Sequence, residues 1–270
     1  MSNESSAEGL TLSFTLKSEL TFTGPVNRHV FALRCLPPTT GGQEILQADV
    51  STRPFSALSS VTDSFGNRIL TGRIDPPHEA FAYTVSGLAR TRAGFADRTP
   101  PRPYMKYPTK LTAAGPAIRA FLAGVPARES AAATGLALSE AIHAKLAYVP
   151  ASTDTRTSAE EAMAKGSGVC QDFTHILLAC LRERRIPCRY VSGLFTGEGA
   201  SHAWAELWDG EKWLALDPTN ATVPGVTYLR FAQGCDFADC PIDSGVFYGF
   251  VSQSIRVTAR VEAAGGAAIK

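Results

Sequence analysis

Cys170, His202 and Asp217 fall along the chain in the order nucleophile, base and orienting carboxylate. Cys170 follows Gly166-Ser-Gly-Val169 and opens an apolar run that reads as a helix, so its thiol sits where the positive end of the helix dipole favours the thiolate. An imidazole at position 202 can take or share that proton, and a carboxylate at 217 can hold the ring in one tautomer. This is the chemistry of acyl transfer through a thioester, completed by water or by an amine as acceptor. The backbone N–H of Cys170 is a natural donor to the oxyanion, with Gln171 or an upstream side chain as the second.

The other reactive side chains read as structural. Cys180 falls on the apolar stripe of its helix, and Cys35 and Cys188 sit in strand patterns as small hydrophobes. Cys235 and Cys240 lack the second ligand pair a zinc site needs. His175 is rotated by about 500° from Cys170 around a helix and points away from the thiol. Asp172 belongs to the first helical turn, where a carboxylate caps.

The elements that must position these groups follow from periodicity. Asp209-Gly210 between two alternating runs predicts a hairpin with a two-residue loop. That register sets His202 directly opposite Asp217, with Cβ atoms about 4.5–5.5 Å apart, and Trp204 opposite Ala215. A four-residue loop would shift the register by two and leave both groups on one face, now diagonal; a slip of one would separate them. Pro218 should end the ladder just beyond Asp217.

Upstream, alternating segments at Leu10–Leu16, Glu19–Phe22 and His29–Cys35, punctuated by turn clusters, predict an antiparallel β-sandwich-like module over residues 1–100. A proline-rich stretch from Asp97 to Pro108 reads as a linker draped over the surface. Helical spacing then covers Ala113–Leu122 and Ala131–Leu146, a capping box starts at Ser158, and a helix from Cys170 to Arg184 carries a buried stripe of Phe173, Ile176, Leu177 and Cys180. Strands at Cys188–Ser192, His202–Trp208 and Lys212–Leu216, with late strands near Val246–Val251 and Ser254–Val261, complete a second domain over 101–270. The tail from Ala263 is expected to fray.

A formal net charge of +1 gives no reason to expect nucleic acid or an anionic membrane as a partner, and the cluster Arg182-Glu-Arg184-Arg185 reads as a solvated helix end. The amino terminus lacks the charge and apolar pattern of a secretory signal, and no run of apolar residues approaches membrane-spanning length. With six cysteines and no close-set pair, reduced thiols in the cytoplasm are expected.

Gly168-Val-Cys-Gln-Asp-Phe-Thr-His175, Arg189-Tyr-Val-Ser-Gly193, Ser201-His-Ala-Trp204 and Asp217-Pro-Thr-Asn220 together resemble the bacterial transglutaminase-like superfamily. Gln43-Glu-Ile-Leu and Asp63-Ser-Phe-Gly-Asn67 are similar to the β module that often precedes its catalytic domain. The resemblance implies an α+β protein whose papain-like domain carries Cys170 at a helix N-terminus packed on an antiparallel sheet. It also implies His202 as base, Asp217 as orienter, a peptide or protein substrate, and no cofactor or metal. Two departures stand out: Cys235-Asp-Phe-Ala-Asp239 replaces a block with a basic residue after Gly234, and Thr174 replaces a small apolar residue.

Overall fold

The computed structural model describes residues 9–264, so the acidic segment 1–8 and the Gly-rich tail after Ala264 lie outside the described residues. The amino-terminal part supplies β1 (Leu10–Leu33), β2 (Gln43–Arg53), β3 (Ser59–Thr62), β4 (Arg68–Ile74) and β5 (His78–Thr91). Then come α1 (Pro116–Ala123), α2 (Ala131–Lys145), β6 (Ala147–Tyr148), α3 (Ala159–Lys165), β7 (Ser167–Gly168) and α4 (Cys170–Glu183). The rest forms β8 (Cys188–Phe195), β9 (Gly197–Gly199), β10 (His202–Trp208), β11 (Trp213–Leu216), β12 (Tyr228–Gly234), β13 (Asp243–Tyr248) and β14 (Gln253–Ala263).

Strand β1 is one 24-residue ribbon where the alternation suggests three strands. Its register with β5 shifts between Thr21 and Val26, around Gly24 and Pro25, so a single strand bends and serves two layers. The first half pairs with β5 and β14, the second with β4 and β13. The two halves enclose one apolar core that includes Phe14, Leu16, Phe31, Leu33, Tyr83 and Val85.

Both late strands therefore leave the domain to which the sequence reading assigns them. β14 pairs with β1 from Leu12 to Phe22 and β13 from Asn27 to Leu33, so a boundary at residue 100 divides the sequence but not the sheets. Alternation identifies a half-buried strand; it carries no information about which edge the strand will join. Ala263, the expected start of the frayed tail, is the last residue of β14, opposite Leu12.

The second sheet has the order β11-β10-β8-β12. Ala203, Ala205 and Leu207 of β10 join α2 and α4 in its core, while Leu194, Leu229 and Phe231 belong to the core of the β module. Phe231 sits at a bulge in the β12–β8 register and meets Phe14 edge-on at 6.0 Å. Two amides of the β module close the outer edge of β12. Gln43 exchanges hydrogen bonds with the backbone of Arg230 (2.9 and 3.0 Å), and Asn67 does the same with Gln233 (2.7 and 2.8 Å). Each side chain imitates one rung of a ladder.

Helix α4 is buried from Gln171 to Arg182, not along a stripe alone. It runs through the centre, with the sheet on one side and α1, α2 and α3 around it. Arg182, expected to be solvated, is 2% exposed and donates to Thr112 and to the carbonyl of Cys235 (2.6 Å). The linker is pinned, since Asp97 binds Arg189 at 2.8 Å and Thr99 accepts the Trp213 indole N–H at 2.8 Å. No helix among the described residues is long and apolar enough to cross a membrane.

Candidate active site

Three local devices deliver Cys170 to the start of α4. Ser158 and Glu161 form the expected capping box of α3, and Gly166 ends that helix with φ of 74°, a conformation that favours glycine. Gly168 follows because a Cβ there would lie 2.6 Å from the Asp172 side chain. Asp172 in turn accepts from the Val169 N–H at 2.7 Å and from the Thr153 hydroxyl at 2.6 Å, which ties the loop after Tyr148 to the helix. Burial raises the Asp172 pKa against those hydrogen bonds. As first and second residues of α4, Cys170 and Gln171 have N–H groups with no intrahelical acceptor.

His202 opens β10 opposite Gly193 of β8. The hairpin that follows has a four-residue loop in place of the expected two, with Trp208 opposite Trp213 and Ala205 opposite Leu216. The cause is Asp209, whose Oδ1 accepts from the backbone N–H groups of Glu211 and Lys212, both at 2.9 Å. The register thus shifts by two, and His202 and Asp217 share a face on the diagonal. Their side chains span it: Nε2 of His202 lies 2.7 Å from Oδ2 of Asp217. The ladder ends at Leu216, ahead of Pro218.

Asp217 is fully buried and saturated with donors. Oδ1 accepts from the N–H groups of Thr219 (2.9 Å) and Asn220 (3.2 Å). Oδ2 accepts from the Asn220 amide (2.8 Å) and the Tyr228 hydroxyl (2.9 Å) as well as from His202. Burial works to raise the Asp217 pKa, yet these bonds, led by that of His202, bring it below the usual carboxylate value. Nothing in the sequence marks Tyr228 as part of the site. Its segment alternates as a strand should, but nothing local ties it to a carboxylate eleven residues earlier.

Burial would lower the His202 pKa. The hydrogen bond of the ring to Asp217, the adjacent Cys170 and the charges of both outweigh it and raise the value to about 9. Since Nε2 is engaged by Asp217, the ring has Nδ1 to turn toward the thiol. The structure thus brings Cys170, His202 and Asp217 into one chain of contacts. By contrast, burial pushes the thiols of Cys35 and Cys180 up to about 12 and that of Cys235 to about 11. His175 is fully buried, accepts the Phe237 N–H at 3.2 Å and has its pKa lowered by burial to about 4. It braces the loop that holds Cys235 and Cys240.

A cavity of about 350 Å³ ends at His202, walled by Phe195, the segment 196–201, Tyr148, Thr219 and Asn220. Phe195 meets the His202 ring edge-on at 4.8 Å and stacks on Tyr228 at 5.5 Å. Tyr148 is strapped beside Gly168 by the parallel β6–β7 bridge. Burial, then the nearby Cys170 and Asp172, raise its pKa.

Comparison with known proteins bears on the family and the fold. The transglutaminase-like superfamily profile matches residues 120–218, and that of the bacterial transglutaminase-like N-terminal region matches residues 12–90. An uncharacterized protein of Mycobacterium leprae is 27% identical, over 84% of this chain and 90% of the relative. One of Mycobacterium tuberculosis is 28% identical, over 70% and 72%. The crystal structure of a candidate cysteine protease from Cytophaga hutchinsonii superposes with a TM-score of 0.80 at 21% identity, covering 94% of this chain and 91% of that one. At that identity the likeness is one of fold. With its core and its amino-terminal region both matched, and the fold shared, this chain belongs to the bacterial transglutaminase-like superfamily.

Proposed function

We propose that the chain is a cysteine-dependent hydrolase of peptide or carboxamide bonds, acting through a thioester on Cys170. The observation that supports this reading best is the His202 ring, buried, bonded to Asp217 at 2.7 Å and raised to a pKa of about 9 beside the thiol. An imidazolium in that place keeps the sulfur nucleophilic and holds the proton that a departing amine needs. In the first step the Cys170 sulfur attacks the carbonyl carbon, and the C–N bond breaks as His202 gives its proton to the amine nitrogen. The acyl group stays on sulfur. In the second, the neutral ring takes a proton from water as the water oxygen attacks. The C–S bond then breaks, and Cys170 leaves as thiolate beside a recharged His202. Asp217 holds the ring in one tautomer and stabilises its charged form. The N–H groups at the start of α4 are the nearest donors to the oxyanion.

Water is the acceptor in this reading because the cavity rim is wet: Tyr148 is 54% exposed and Phe195 39%. A dry channel is what an amine acceptor would need to compete with water. Peptide-library turnover by wild type, Cys170→Ala and His202→Ala, with and without a primary amine, tests the proposal. Cys170-dependent product that incorporates water alone is expected. Incorporation of the amine would reassign the protein as a transglutaminase, and absence of Cys170-dependent turnover would leave a binding protein on the same fold.

A further inference from the structure

Between β8 and β10 the chain does not turn directly. It leaves the four-stranded sheet at Phe195, runs as β9 antiparallel to β14 with Glu198 opposite Arg260, and returns at His202. β9 is thereby the terminal strand of the amino-terminal sheet, in the order β2-β5-β1-β14-β9. Among the described residues no second strand pairs with it. Gly197, Glu198 and Gly199 line the cavity, three residues from the imidazole.

Gly199 has no structural reason to be glycine. Its backbone is outside the left-handed region, and a Cβ built on it would have no atom within 4 Å. Gly197, with φ of 124°, differs in this respect. A glycine inside a strand weakens it, and where neither conformation nor packing demands one, what it offers is room for another backbone to approach. The one charged side chain of β9 does not dominate the wall either. Glu198 pairs with Arg260 at 3.5 Å, and both side chains are mostly exposed, so the pair is weak and screened. What an unpaired strand edge presents is main-chain N–H and C=O.

We infer that the outer edge of β9 is the substrate-binding edge, on which an extended peptide docks as an added strand and so carries its carbonyl to Cys170. The inference rests on the acyl-transfer reading. It gives the β module a function, since β14 is what holds β9 out as a straight edge beside the reacting groups. Three residues of strand span about 10 Å, so the edge engages a segment of about three residues, read through its main chain more than its side chains.

The test compares inactivation by mixed tetrapeptide chloromethyl ketones with inactivation by chloroacetone, the same electrophile without a peptide. The wild type should react with the peptidyl reagents at least about tenfold faster, an advantage on the scale of one or two hydrogen bonds. Gly199→Val, for which the free protein has space, should lose that advantage, read as the ratio of its peptidyl rate to its own chloroacetone rate. N-methylation of the reagent's amides should abolish it on wild-type protein, a result independent of how any variant folds. A peptide advantage absent from the wild type, or one that survives both Gly199→Val and N-methylation, would overturn the inference and leave the acyl-transfer reading standing. If chloroacetone fails to label Cys170 in the wild type, that reading falls and takes the inference with it.

Discussion

Strand β10 carries two buried charge clusters on one face, and they do different things. At one end His202 meets Asp217, which also accepts from Asn220 and Tyr228. At the other, past Trp204, Glu206 is held between Arg189 (2.7 Å) and Arg230. Arg189 also binds Asp97 and lies over the Trp213 ring at 4.1 Å, and Arg230 donates to Gln233 at 2.8 Å. In the Glu206 cluster each carboxylate oxygen is filled by a guanidinium, and the arginines lower the Glu206 pKa against its burial. In the His202 cluster the carboxylate is filled but the imidazole keeps a nitrogen for a thiol and borders a cavity. Buried charge therefore marks both ends of β10, while an unfilled valence marks only one.

The widest separation of the two should come from Asp217→Asn. It removes the charge that fixes and supports the His202 ring, and turnover should fall by about 10³–10⁴ with the fold retained. Turnover of the parent protein should also decline as pH rises through about 9, where the imidazolium is lost, and in the variant that limb should move toward acid. The sign for stability is the same. With a folded pKa above the ordinary 6.5, His202 contributes stabilisation that is complete below 6.5 and lost as pH rises through about 9. A pH–rate profile with no basic limb near 9 would show that the imidazolium is not used.

Glu206→Gln should do the reverse. It removes the one carboxylate the two guanidinium groups share, leaving Arg189 with Asp97 and Arg230 with the neutral Gln233, and denaturant melts should show a loss of about 3 kcal/mol. The activity of the molecules still folded should change by less than a factor of about three, since no reacting group is touched. If Glu206→Gln instead reduced turnover per folded molecule as Asp217→Asn does, the division of β10 into a reactive end and a structural end would fail.

How far the sequence reveals these clusters depends on what sets each feature. That His202 and Asp217 share a face follows from the period of two, which a shift of two preserves. The register itself was hidden, because it depends on one carboxylate, Asp209, capturing two N–H groups of its own loop. The partners of Asp217 were half visible: Asn220 lies in the same turn, but Tyr228 arrives on another strand. The Glu206 cluster was invisible, since Asp97, Arg189 and Arg230 meet only after the linker, β8 and β12 have folded together. For the same reason the late strands join an unexpected sheet, and Arg182 reads as solvated although its guanidinium is buried against the Thr112 hydroxyl and the Cys235 carbonyl.

Tyr228→Phe sharpens the reactive end. It deletes one of three side-chain donors to Asp217 Oδ2 and leaves the ring stacked on Phe195. A drop of about tenfold in turnover is expected, the value of one hydrogen bond to a buried charge. Its stability should fall by about 1.5–3 kcal/mol, and the basic limb should stay near 9, because His202 still bonds Asp217.

The smallest effect tests whether β12 keeps the clusters separate. That strand supplies Tyr228 to one and Arg230 to the other, and Gln43 of the β module grips the backbone at Arg230. Gln43→Ala would leave the buried N–H and C=O of Arg230 without their partner, at a cost of about 1–2 kcal/mol in a melt. Because the loss falls on backbone at the Glu206 end, the pH–rate profile should keep its limb near 9 and turnover should stay within about twofold. A shifted limb in Gln43→Ala would mean that β12 transmits strain from the edge of the module, past Arg230, to Tyr228 and Asp217. The two ends of β10 would then be one device, with the amino-terminal module tuning the imidazole through the strand they share.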